Sequence, residues 1–290
     1  MADRAAEFEA LRPRMVRIAY GVLGGLAEAE DVVQDAWLRL QRTDEEIRDL
    51  GAWLSTVVGR LALDALGSAR RRREHYPGEW LPEPLVTEAD EDLTLDESIS
   101  TALMVVLERL SPAQRTAFLL HDVFGLAFEQ VAEIVGRSPA AVRQLAARAR
   151  AHVDAGKPRF PASEQEAERV VSAFAQAWQE GEHAPLLALL DPDVVLRADG
   201  GGHVAAARKP LRGADRVARA LASFARVAAR LGQDASGRLV RVNGSAGLVV
   251  TVDGVTDSVV ALTIDGGRIT VIDIVRNPEK LSHIPPRAPR

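Results

Sequence analysis

The chain has 290 residues, enough for two or three domains of ordinary size. It is 47% apolar, has a formal net charge of −5 and contains no cysteine. That excludes a disulfide framework, a thiolate metal site and a polyanion binder that relies on bulk charge. No apolar run reaches the roughly 18 residues a membrane span needs, and the N-terminus lacks a signal-peptide core, so the expected setting is the cytoplasm without membrane contact.

In chain order, residues 4 to 25 read as a helix, with Phe8, Leu11, Met15, Ile18 and Ala19 on one stripe and Gly24-Gly25 as its stop. A second helix, residues 29 to 41, buries Val32, Val33, Ala36, Trp37 and Leu40 and turns Asp31, Gln34, Asp35 and Leu38 outward. That mixed acidic and apolar face is either a docking surface for a basic partner helix or an ordinary solvated face. After a polar loop, a long helix covers residues 51 to about 73. Five arginines, Arg60 and Arg70, Arg71, Arg72 and Arg73, stand there against Asp64. Cations suit a helix C-terminus, but four in succession exceed what the dipole needs, which favours nucleic-acid phosphates. The loop at residues 43 to 50 is where a flipped base could be captured.

Residues 74 to 97 hold nine acids and no Lys or Arg. Within this linker, Trp80-Leu81-Pro82-Glu83-Pro84-Leu85-Val86 is apolar enough to need a packing partner. The next segment is clearly punctuated. Ser111-Pro112-Ala113-Gln114 is a capping box with Pro at the first helical position, and Ser138-Pro139 repeats the device. A short helix at residues 128 to 135, Gly136 and a capped helix at 139 to 150 have the grammar of a helix-turn-helix. On the last helix, Arg143, Gln144 and Arg148 include the exposed positions that can pair with base edges or grip phosphate. The alternative is a surface helix in an all-α bundle.

Residues 157 to 162 form a second linker. Beyond it the pattern changes: helices at 163 to 181 and 184 to 190, strands at 194 to 198 and 204 to 207 around Asp199-Gly200-Gly201-Gly202, a helix at 214 to 231, then strands at 239 to 242, 248 to 252, 259 to 264 and 268 to 275. This order implies a sheet wrapped around helices, with room for a cavity. Asp199, His203, His183 and Asp273 are candidates for acid–base chemistry, although no pair has a diagnostic spacing. The alternative is that Asp199 serves its turn and the histidines lie at the surface.

These features resemble the extracytoplasmic-function sigma factors, alternative specificity subunits of bacterial RNA polymerase. Residues 29 to 40 resemble the segment that binds core polymerase. Residues 53 to 64 with the following arginines resemble the helix that reads the −10 element. Leu110-Ser111-Pro112-Ala113-Gln114-Arg115 and the helix-turn-helix resemble the domain that reads the −35 element. The linker motif Trp80-Leu81-Pro82-Glu83-Pro84, the turn Asp199-Gly200-Gly201-Gly202 and Asn277-Pro278-Glu279-Lys280-Leu281 are similar to a subgroup with a fused SnoaL-like domain. Two positions depart from that pattern: His203 stands where Lys is expected, and Glu279 where Asp is usual.

The resemblance implies a multidomain fold: two all-α sigma domains, a helical bundle at residues 1–75 and a helix-turn-helix at 99–156, joined by the acidic linker 76–98. A C-terminal α+β SnoaL/NTF2-like cone-shaped domain follows at 163–283. It implies that Asp31, Gln34, Asp35 and Leu38 dock on core RNA polymerase. Arg60, Arg70, Arg71, Arg72, Arg73, Ser138, Arg143, Gln144 and Arg148 would contact promoter DNA at the −10 and −35 elements. The linker, glycine-turn and C-terminal motifs would regulate the factor in cis, without a separate anti-sigma partner. The expected protein is a transcription initiation factor and no enzyme, a monomer when free, with no cofactor or metal, and with a small-molecule ligand of the C-terminal domain left open. The competing reading is a ligand-sensing or catalytic SnoaL-like domain fused to a DNA-binding module.

Overall fold

The computed structural model describes residues 2–44, 46–88 and 99–285. Residues 89–98 of the acidic linker and Glu45 of the 43–50 loop lie outside the described residues. The chain divides into two compact units, Met1–His75 with Leu103–Gly156, and Tyr76–Ala102 with Lys157–Arg290.

The first unit is helical. Its first three helices, α1 (Ala2–Leu23), α2 (Leu26–Gln41) and α3 (Leu50–Glu74), pack against one another. Phe8, Met15, Ile18, Val33, Leu54 and Val58 are buried among them. Gly24, at φ +81°, ends α1 in the left-handed conformation that glycine adopts without penalty, and its N–H returns to the Tyr20 carbonyl. At the start of α3, Asp49 accepts a hydrogen bond from the Ala52 N–H at 2.9 Å.

After α4 (Thr101–Leu107), the same unit contains α5 (Pro112–Phe118), a π-helical turn at Leu119–Val123, α6 (Phe128–Val135) and α7 (Pro139–Gly156). The Ser111–Gln114 capping box forms as the sequence indicates, and Gly136 closes α6 at φ +69°. Helix α7 outruns its expected end at residue 150, because Val142, Ala146, Ala149 and Val153 continue one buried stripe. The two halves of the unit touch: α5 and α6 pack on α3. Gly59 lies at this contact, where a Cβ would meet Ile134 and Leu120 side-chain carbons at 3.1 and 3.2 Å.

The second unit is α+β. Its seven-stranded sheet has the order β1-β4-β5-β6-β7-β2-β3. The strands are β1 (Val86–Glu88), β2 (Leu190–Asp199), β3 (Leu211–Arg212), β4 (Ala235–Val242), β5 (Ser245–Val252), β6 (Val255–Asp265) and β7 (Arg268–Val275). Only β2 and β7 pair in parallel; the other neighbours are antiparallel. Helices α8 (Glu164–Gln179), α9 (His183–Leu189) and α10 (Ala214–Arg230) contribute Val171, Phe174, Leu186 and Leu221 to a core shared with Leu196 and Ile272 of the sheet. The short helix α11 (Pro278–Leu281) ends the described fold.

Two features depart from the sequence reading. Residues 204 to 207 are not a strand; the second hydrogen-bonded partner of β2 is Leu211–Arg212 instead. Gly201 and Gly202 take φ +64° and +78°, and the N–H groups of His203 and Val204 both return to the Gly200 carbonyl. The chain therefore curls away from the sheet edge before it can pair. The linker also supplies β1, which pairs with β4 through Val86↔Val242 and covers an edge that would otherwise expose unpaired backbone groups.

Candidate functional site

Asp31, Gln34, Asp35 and Leu38 all lie on the exposed side of α2, opposite buried Val32, Val33, Ala36 and Leu40. Leu38 is 39% exposed, and among the described residues it is the first unit's only exposed large hydrophobic side chain. An outward leucine beside Asp35 and Gln34 is a feature a purely solvated face does not need.

The arginines of α3 split into two groups. Arg71 and Arg72 are exposed; Arg72 pairs with Glu28. Arg70 and Arg73, three residues apart and therefore on one helical face, are directed into the protein. Arg70 donates to the Leu110 carbonyl at 2.7 Å, and Arg73 donates to both Glu108 carboxylate oxygens at 2.8 Å and to the Leu23 carbonyl. Glu108 also pairs with Arg115, which is only 2% exposed and donates twice to the Gly21 carbonyl. Burial pushes the Glu108 carboxyl up, but the charges and hydrogen bonds of Arg115 and Arg73 outweigh it and hold the group below the usual carboxylate value. Burial lowers the Arg115 guanidinium against the opposing pull of Glu108. Further along, Arg60 pairs with Glu133 of α6 at 2.8 Å, with both side chains largely exposed.

On α7, the Ser138 hydroxyl accepts from the Ala141 N–H at 3.3 Å. Gln144 and Arg148 are exposed, above buried Val142, Ala146 and Ala149. Arg143 is also exposed, but it leans over the Phe128 ring and pairs with Glu129 at 3.2 Å.

The second unit brings the three remaining motifs together around one carboxylate. Asp199, at the end of β2, is fully buried. Its Oδ1 accepts from the Tyr76 hydroxyl at 2.6 Å and the Gly201 N–H at 3.0 Å; its Oδ2 accepts from the Leu81 N–H at 2.9 Å and Lys280 Nζ at 2.7 Å. Lys280 also donates to the Leu81 carbonyl and stands 4.3 Å from the centre of the Trp80 ring, a cation–π contact. Asn277 caps α11 by accepting from the Glu279 N–H at 3.0 Å, and its amide donates to the Tyr76 hydroxyl at 2.9 Å. Burial and then the Asp199 carboxylate raise the Tyr76 phenol above its ordinary value.

The glycines make this closeness available. A Cβ on Gly201 would lie 2.4 Å from the Asn277 side chain, one on Gly202 2.7 Å from Pro77, and one on Gly200 2.5 Å from the Val204 carbonyl oxygen. Leu81, Pro82 and Pro84 are buried, and burying a leucine such as Leu81 contributes about 2 kcal/mol. His283 reaches the Pro84 carbonyl at 3.0 Å and Glu83 at 3.2 Å. Farther along the linker, the Asn243 N–H donates to the Leu85 carbonyl at 2.8 Å. The two departures from the expected motifs face one another: His203 Nε2 lies 3.5 Å from the Glu279 carboxylate. Tyr76, Asn243 and His283 escape sequence reasoning, because their partners are more than a hundred residues away and nothing local marks them.

Sigma-70 region 2 matches residues 8–72, and sigma-70 region 4 matches residues 100–153. The ECF RNA polymerase sigma factor SigJ of Mycobacterium tuberculosis is 41% identical over 97% of this chain and 94% of its own length. The probable ECF sigma factor SigI of the same species is 34% identical over 96% and 94%. The crystal structure of SigJ superposes with a TM-score of 0.79 at 37% identity, covering 98% of this chain and all of that one. The chain belongs to the extracytoplasmic-function sigma factors.

As a sigma factor it binds core RNA polymerase and promoter DNA and directs transcription initiation. Its fold is two all-α sigma domains followed by an α+β domain built on a seven-stranded sheet. The four residues singled out for acid–base chemistry do not converge in this sigma factor. Asp199 is taken by Lys280, Asp273 by a two-point contact with Arg197, His183 by Asp215 and His203 by Glu279. Burial raises the Asp273 carboxyl, with Arg197 opposing. Among the described residues no cluster of His, Asp and Glu could hold a metal ion, and no helix is long and apolar enough to cross a membrane.

Proposed function

We propose that this sigma factor works in the cytoplasm as a monomer when free, and that its C-terminal domain, residues 163–283, controls it in cis through the linker. In this reading residues 1–75 bind core polymerase through Asp31, Gln34, Asp35 and Leu38 and read the −10 element with Arg60, Arg71 and Arg72. Residues 99–156 read the −35 element with Ser138, Arg143, Gln144 and Arg148. Arg70 and Arg73, also expected at DNA, serve instead to hold the two sigma domains together while the protein is free.

The observation that carries the reading of regulation is the Asp199 carboxylate. It takes a backbone N–H from the linker motif and the ammonium of Lys280, so linker, glycine turn and C-terminal motif share one buried charge. Replacing one partner of such a group leaves the others unpaired at a cost of about 3–5 kcal/mol. The described part of the linker, residues 76–88, is thereby fastened to the C-terminal domain. In this reading the Arg60–Glu133 and Arg73–Glu108 contacts belong to the free protein and part when the two sigma domains take up their separate promoter elements.

Transcription in vitro from fragmented host DNA with purified core polymerase tests this, using the full-length protein and Lys280→Met. Start sites sharing one −10/−35 pair, with output changed at least fivefold by the substitution, support it. Equal output from both proteins at every start site removes the regulatory role of the clamp that Asp199 forms with Leu81, Tyr76 and Lys280. Absence of core-dependent initiation would return the argument to a DNA-binding protein that only borrows the sigma scaffold.

A further inference from the structure

The C-terminal domain holds a partly open cavity of about 460 Å³ lined by α10 and the sheet, within the size range of small-molecule sites. Its floor is apolar, formed by Leu196, Leu248 and Ile274 with Trp178 at one side. Alanines of α10, among them Ala220 and Ala228, leave the space that larger side chains would fill. The cavity's polar lining includes Arg276 and Asp257. Arg276 makes a two-point contact with Asp257 at 2.6 and 3.2 Å, donates to the Ala205 carbonyl at 2.7 Å and lies over the half-exposed Phe224 ring at 4.8 Å. Asp234 lines the same cavity.

The balance of charge restricts what can enter. Asp257 already neutralises Arg276, so a carboxylate ligand would have to displace that acid. A hydroxyl or carbonyl can accept from the guanidinium N–H groups that remain, and Gln179, Gln233, Ser236 and Ser258 add neutral polar groups to the lining. Arg276 is also one bond from the clamp: its backbone N–H donates to the Asp199 carbonyl at 2.7 Å, and the next residue, Asn277, holds the Tyr76 hydroxyl.

We propose that this cavity binds a neutral, mainly apolar small molecule that presents one hydroxyl or carbonyl to the Arg276–Asp257 pair, and that its occupancy is felt at residues 76–81 through Arg276 and Asn277. The second half rests on the reading of the C-terminal domain as a regulator; the first does not. The ligand supplies apolar bulk over α10 and a polar end that re-aims Arg276, whose backbone is part of the clamp.

Full-length protein titrated with 1-decanol and with decanoate tests both halves, with calorimetry reading binding and hydrogen exchange reading residues 76–81 and 276–281. The expected result is saturable one-to-one binding of decanol, at least tenfold weaker binding of decanoate, and altered exchange at residues 76–81. Ala228→Trp and, separately, Ala220→Phe should abolish decanol binding while leaving the melting temperature within a few degrees. No binding of either probe overturns the site. Decanol affinity that survives both filling substitutions assigns the alkyl chain to the exposed Phe224, Val227 and Leu231 and also overturns it. Decanoate binding as tightly as decanol overturns the neutral class. Decanol binding with unchanged exchange at both segments overturns the coupling, whereas the transcription of Lys280→Met, measured separately, judges the regulatory reading itself.

Discussion

Glu108 and Asp199 each draw together segments far apart in sequence, but their partners differ in kind. Glu108, in the helical unit, is held by the guanidinium groups of Arg73 and Arg115 and keeps a fifth of its side chain exposed. Asp199, in the α+β unit, is fully buried and takes two backbone N–H groups as well as Lys280 and Tyr76. A contact made by long arginine side chains can part by rotamer changes with each helix intact. A contact that includes backbone donors parts only if the chain itself moves. The first suits a junction that opens when the sigma domains separate; the second suits a fixture that sets the course of the linker.

Asp199→Ala should have the largest effect, since it leaves an ammonium and two backbone donors without their acceptor. We expect a loss of about 3–5 kcal/mol in the C-terminal domain, read by thermal unfolding, and faster hydrogen exchange at residues 76–81. A melting curve like that of the unaltered protein would end the claim that Asp199 organises the linker. Glu108→Gln comes next. It strands the buried Arg115 charge, costs about 3 kcal/mol at the junction of the sigma domains, and should loosen that junction without touching the C-terminal unit. Proteolysis or exchange confined to α4–α5 and α3 would report it.

Gly201→Ala imposes a Cβ at φ +64° against Asn277, and about 2 kcal/mol of destabilisation is expected from strain and displacement together. Glu133→Ala removes an exposed pair worth less than about 1 kcal/mol, so stability should hardly change while Arg60 is freed for DNA. Nonspecific DNA affinity, measured against salt, should rise slightly.

Acid tests the Glu108 junction by itself. The Glu108 pKa is depressed in the folded protein relative to its ordinary value of 4.5. Its contribution is therefore fully present above that value and is lost as pH falls through the lower folded value. The junction of the sigma domains should loosen on acidification below about 4.5, and Glu108→Gln should flatten that part of the pH–stability profile. A profile identical in the variant would contradict the assignment.

Much of the fold is legible in the sequence, because caps and stripes are local. Ser111, Gln114, Ser163, Gly136 and Gly181 mark helix ends at the positions the structure uses. The strand expected at residues 204 to 207 fails because the preceding glycine turn curls the chain away from the sheet edge, a geometric fact no propensity encodes. Within the site, the apolar string around Trp80 signals the need for a partner, yet only the tertiary fold reveals that Lys280 and Asp199 supply it. The run of four arginines reads as one basic patch, although helical spacing places Arg70 and Arg73 on the inward face. Tyr76 carries no local signal, since its role consists of contacts with Asp199 and Asn277.

The most direct test of the account exploits the absence of cysteine from the chain. With Arg60→Cys and Glu133→Cys introduced together, a short, reducible bis-maleimide linker can tie α3 to α6 at a single place. Core-dependent transcription is then measured from the tied protein before and after reduction. At least a tenfold loss of initiation is expected in the tied form, with recovery on reduction to the level of the untreated double variant. A tied protein that initiates as well as the reduced one would show that the sigma domains need not separate, and would contradict the account.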